Sequence, residues 1–77
     1  GRAIMTAYRQ AALDIAAALR DGPARPRDLR AVTPDAAKIL YRNVYGWFTH
    51  PTPGRYALAP DGEAALTAWL AEVPQHG

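Results

Sequence analysis

The residues able to do chemistry are few, and most carry the same charge. The chain has no Cys and no Ser. That removes two common nucleophiles, any disulfide and any cysteine-based metal centre. The two His residues, His50 and His76, lie far apart in sequence, so no metal site is expected. Asp28 with Asp35, and Asp61 with Glu63, are carboxylate pairs at helix starts, where the helix dipole accounts for acids. Gly54 and Gly62 are isolated turn glycines and form no phosphate-cradling loop. These residues imply no enzyme, no cofactor and no small-molecule ligand.

What remains is arginine. Eight of the nine basic residues are Arg, and a guanidinium grips phosphate bidentately. A high-GC genome produces the same bias. The net charge is only +2, but residues 20–55 hold seven cations against three carboxylates, a net +4, and residues 56–77 carry a net −3. The positive field belongs to the middle of the chain.

Those cations have to be positioned by local structure. A first helix is expected over about residues 6–20, with Met5, Tyr8, Ala12, Ile15, Ala16 and Leu19 as its apolar stripe. Asp21-Gly22-Pro23 stops it. A short second helix opens at Pro26 with Leu29 as its buried anchor and Val32 just after. Arg25, Arg27 and Arg30 surround that anchor, and a connection over residues 31–33 leads on.

A third helix is expected from Thr33 at the N-cap and Pro34 at the first helical position to a stop at Gly46. At about 100° per residue, Ala36, Ile39, Leu40 and Val44 fall on its buried side, with Trp47 continuing it. Lys38, Tyr41, Arg42 and Tyr45 fall opposite. Asn43 lies near the buried side and should bond backbone close to the hairpin or the end of the first helix.

The runs Trp47-Phe48-Thr49-His50 and Arg55-Tyr56-Ala57-Leu58 make a hairpin around Pro51-Thr52-Pro53-Gly54, with Pro-Gly at the centre of a type II turn. Phe48, Tyr56 and Leu58 are placed toward the core, and His50 and Arg55 toward the tip. A last helix follows, with Leu66, Trp69, Leu70 and Val73 as its stripe and Pro74 as its end; residues 75–77 should fray.

This order is that of a winged helix-turn-helix: mainly α with a small β-hairpin, in the sequence helix, helix, helix, hairpin, helix. One domain over residues 1–77 is expected, with an ordered core of about residues 6–73. The start at Gly1 without an initiator Met reads as a piece of a longer protein. The lack of Cys fits a cytoplasmic protein. The Ala-rich residues 11–19 are too short to cross a membrane and contain Asp14.

The run Pro53-Gly54-Arg55-Tyr56-Ala57-Leu58-Ala59-Pro60-Asp61-Gly62 resembles the wing-to-last-helix junction of bacterial winged-helix proteins. There a G-x-Y-x-L strand is followed by Thr, two variable residues and Gly. Here Ala59 replaces that Thr, which removes a helix cap worth about 1 kcal/mol. Residues 22–30 together with residues 43–48 resemble the C-terminal region of an uncharacterised proteobacterial family. The N-terminal part of that family is similar to PD-(D/E)XK phosphodiesterases. The resemblance implies an accessory domain, and the family's nuclease-like motif has no counterpart in these residues.

The function expected is DNA binding. The outer face of the third helix would enter the major groove, with Lys38 and Arg42 in it and Tyr41 and Tyr45 beside them. Arg27 and Arg30, and Arg55 in the wing, would sit on backbone phosphates. The competing reading for the arginines is a solvated surface, and for the two tyrosines packing under the wing or against a neighbouring domain. The alternative function is docking onto a protein partner or another domain of the parent chain, because exposed aromatics beside Arg also suit interfaces. The wing is poor in charge for a DNA clamp, with Arg55 and the exposed turn residue His50 alone.

Overall fold

The computed structural model describes residues 7–72. Met5 and Thr6, expected in the first helix, Val73 and Pro74, expected at the end of the last, and the tail at residues 75–77 lie outside the described residues. The elements are α1 (Ala7–Ala18), the 3-10 turns η1 (Leu19–Asp21) and η2 (Pro26–Leu29), α2 (Ala36–Arg42), the antiparallel strands β1 (Phe48–Thr52) and β2 (Arg55–Leu58), and α3 (Pro60–Glu72). The chain is thus mainly helical with one two-stranded hairpin, an arrangement compatible with a winged helix-like fold.

α1 is the spine of the core, with α2 and α3 packed against it. Ala12, Ile15, Ala16 and Leu19 are buried as the stripe predicts, and Leu13 is buried with them. The face is wider than one stripe because two helices cover it. Leu29, Ile39, Leu40, Trp47, Phe48 and Leu66 complete the core, and Tyr56, Leu58, Trp69 and Leu70 pack on its margin half-buried. The alanines at 12, 16 and 36 are fully buried; a methyl group is all that fits where helices approach this closely.

The second helix is shorter than expected, a single 3-10 turn. Arg25 precedes it in extended conformation, with its backbone N–H donating to the Asp28 carboxylate at 3.3 Å. Two hydrogen bonds then tie the preceding segment to the hairpin: Ala24 N–H to the Tyr56 carbonyl at 3.0 Å and Tyr56 N–H to the Ala24 carbonyl at 2.8 Å. These bonds hold residue 24 extended, which leaves room for only one turn before Leu29 must enter the core. Val32, just beyond, is 40% exposed.

The third helix also differs at both ends. Thr33 and Pro34 belong to a turn rather than a helix start. α2 begins at Ala36, flanked by Asp35 with no side-chain cap. It ends at Arg42, because Asn43 takes the left-handed conformation at φ 46°. Asn43 rather than Gly46 is the stop, although Gly46 also has a positive φ. The price of that conformation is offset by two hydrogen bonds. Asn43 Nδ2 donates to the Phe48 carbonyl at 2.9 Å, and its Oδ1 accepts from Phe48 N–H at 3.1 Å. The predicted Asn43-to-backbone contact is therefore at the hairpin's first residue. Val44, expected to be buried, is 62% exposed, since the helical phase that placed it no longer applies past Asn43.

In the hairpin, Phe48 pairs with Leu58 and Thr49 with Ala57, but Thr52 pairs with Arg55. β1 therefore holds one residue more than β2 over that stretch, a bulge that includes Pro51. Proline has no N–H for the ladder, and a bulge is where a strand tolerates it. Gly54 at φ 80° closes the turn after Pro53, as a type II turn requires.

α3 carries Asp61 and Glu63 in its first turn, the favourable end of its dipole. Gly62 is buried there against Trp47. No helix among the described residues is long and apolar enough to cross a membrane.

Candidate functional site

α2 places Lys38, Tyr41 and Arg42 on its outer side. Ala36, Ile39 and Leu40 take the buried side, so residues about half a turn away must face solvent. Lys38 and Arg42 are exposed, and Tyr41 is 82% exposed. Lys38 and Arg42 also border a groove of about 390 Å³ between α1 and α2, with Tyr8 and Ala11 on its far wall.

Arg27 and Arg30 are exposed on and just after η2, the turn packed against α2. Arg55 is exposed at the start of β2, beside the turn glycine. Lys38, Arg42, Arg27, Arg30 and Arg55 make no hydrogen bond and no ion pair with any described residue. Arg25 differs: its Nε lies 3.5 Å from the Asp28 carboxylate, in an ion pair about half exposed on both sides. Such a pair adds little stability, but it occupies Arg25.

Tyr45 does not join the outer face. Past Asn43 the chain turns inward, and the Tyr45 ring stacks on Trp47 with centroids 4.5 Å apart. It also meets Tyr8 at 6.0 Å, tilted by 58°. The Arg9 guanidinium lies 5.4 Å from the Tyr45 ring centre and 5.1 Å from that of Trp47, a cation–π arrangement. Tyr45 is therefore part of the packing between α1 and the entry to the hairpin. The separation of Arg9 from Tyr45 along the chain leaves no periodic signal that could have announced this cluster.

His50 stacks on Tyr56 with centroids 4.4 Å apart and planes within 4°, a contact across the hairpin face close to the bulge. The Tyr8 hydroxyl is buried and has no hydrogen-bond partner among the described residues. Among the described residues, no three of His, Cys, Asp or Glu come together as metal ligands would.

No curated protein and no solved structure matches the chain. A family model matches residues 1–65, most of the length, and the chain belongs to that family, described as "Putative PD-(D/E)XK phosphodiesterase (DUF2161)".

Proposed function

We propose that this chain is an accessory DNA-binding domain of winged helix-turn-helix type within a phosphodiesterase-family protein. The observation that carries the reading is the set of five cations, Lys38, Arg42, Arg27, Arg30 and Arg55. All are exposed, and none is engaged by a described acid. α2 offers its Lys38–Arg42 side to the major groove, and the other three arginines hold phosphates. With Lys38 and Arg42 also reaching phosphates that border the groove, five contacts would give a salt dependence with slope of about −4.5 on duplex DNA.

We place the cutting chemistry that the family name describes outside these residues. A (D/E)-x-Lys element needs an acid two positions before a lysine. The only lysine is Lys38, and residue 36 is Ala.

An NMR titration with duplex DNA at low salt tests the proposal. The expected result is movement of the Lys38, Arg42 and Arg55 amide signals that reverses as salt is added. Signals that stay in place sink it. The second reading, docking onto a protein or another domain of the parent chain, has its support in Tyr41 and Val44, exposed by 82% and 62%. It expects Tyr41→Ala to weaken association with the parent protein and to leave DNA without effect.

A further inference from the structure

Tyr41 is the most exposed large hydrophobic side chain among the described residues, at 82%. The other tyrosines are all engaged: Tyr45 stacks on Trp47, Tyr8 leans on Tyr45, and Tyr56 carries His50. No described ring or cation lies on Tyr41. Both faces of its ring are open, and covering one would break no ring stack or cation–π contact with a described residue. Lys38 stands one helical turn before it and Arg42 directly after, both exposed and unpaired with described acids. An open aromatic face between two cations matches a flat, polarisable group flanked by phosphates, and that group is a nucleobase.

The same face is poorly equipped to read an intact duplex. Base edges in the major groove are read mainly by Arg and Lys at guanine and by Asn and Gln at adenine. On α2 Lys38 and Arg42 can read guanine alone, and nothing there reads adenine, because the Asn43 amide is committed at both atoms to Phe48. Within a closed duplex the bases stack on one another and offer no free ring face to Tyr41. A base that has lost its partner does.

We infer that Tyr41 is a stacking platform for an unpaired base, so that the domain prefers DNA that is locally open, with the arginines of η2 and the hairpin on the adjoining duplex phosphates. This rests on the DNA-binding reading above and names its substrate class.

The test compares an intact duplex with the same duplex carrying a short single-stranded thymidine gap, by fluorescence anisotropy at fixed salt. The chain should bind the gapped form more tightly. Tyr41→Ala should weaken that binding by roughly 5- to 150-fold, the loss expected for one stacked base, and leave the salt slope unchanged. Tyr41→Phe should keep the affinity, since stacking needs the ring and not the hydroxyl. The double variant Lys38→Gln/Arg42→Gln should weaken both forms and flatten the salt slope. Equal affinity for the two forms, or a Tyr41→Ala variant that binds like the parent chain, overturns the stacking role and leaves DNA binding standing. No binding to either form overturns both.

Discussion

Replacing Gly62 by Ala puts the packing of α3 on the hairpin entry to a direct test. One term favours the substitution. Ala is the better helix former by about 1 kcal/mol, chiefly because Gly has more unfolded-state freedom to lose. Against it stands the space at the site. A Cβ built on Gly62 would fall 2.9 Å from Leu58 Cδ1, 3.0 Å from Trp47 Cβ, and closer still to the Trp47 carbonyl oxygen. The leucine end can move, but the Trp47 backbone is fixed by its neighbours. That same carbonyl accepts from Ala59 N–H at 2.7 Å, so any retreat of α3 stretches the bond that joins the hairpin to the helix. Overpacking costs about 1–3 kcal/mol, and a weakened hydrogen bond about 0.5–1.5 kcal/mol more. The clash is with backbone, so the upper part of each range applies. The net expectation is a destabilisation of about 3 kcal/mol. A domain of this length has about 4–12 kcal/mol in all, so the variant still folds. Its melting temperature should fall by about 12–24 °C. Thermal unfolding followed by circular dichroism and by the fluorescence of Trp47 and Trp69 reads this out. If Gly62→Ala melts at or above the parent chain, helix propensity has outweighed the clash, and the close approach of α3 to Trp47 is refuted.

Asn43 and Tyr8 give two further tests on the same unfolding assay. Asn43→Ala loses both bonds to Phe48 and disfavours the left-handed stop, whether Ala is strained there or the helix runs past it, for a cost of about 2–4 kcal/mol; Asn43→Gly loses only the bonds and should cost about 1–3 kcal/mol, so an Ala variant no worse than the Gly one contradicts the left-handed stop. Tyr8→Phe removes a buried hydroxyl without a described partner and should be neutral or stabilising by up to about 1 kcal/mol; a clear loss of stability would show that the hydroxyl is bonded.

Where the sequence was legible, the reason was local. Asp21-Gly22-Pro23 had to end the first helix, and Gly22 does so with φ 136°. Pro53-Gly54 had to turn the hairpin, and Gly54 has the required sign of φ. Asn43 was polar near a buried face, so its need for backbone partners could be foreseen. The illegible features are non-local. The Ala24–Tyr56 bridge joins residues with no shared pattern, and it is what shortens the second helix to one turn. The bulge depends on where Pro51 falls in a register that pairing alone decides. Gly62 looked like a turn residue because its burial depends on Trp47, which belongs to another element.

The site shows the same division with greater consequence. The outer face of α2 was readable for as long as the helix lasted: Lys38, Tyr41 and Arg42 lie where the 3.6-residue period puts them. The error came from carrying that period to Tyr45. Asn and Gly both tolerate the left-handed region, and the sequence offers Asn43 and Gly46 as competing stops. The two bonds to Phe48 decide for Asn43, since they form only if the chain leaves the helix there. That choice moves Tyr45 from the outer face onto Trp47 and under Arg9. It also removes the crowding that two adjacent tyrosines would have imposed on a groove. Tyr41 is left alone between Lys38 and Arg42 with both ring faces open, and an unaccompanied ring is what stacking on a single base requires. The residue that stops α2 thereby determines which aromatic side chain is available to a ligand, so Asn43→Gly, which keeps the stop, should leave the Tyr41-dependent preference for gapped DNA intact. Asn43→Ala, which favours a longer helix, should return Tyr45 toward the outer face and reduce that preference.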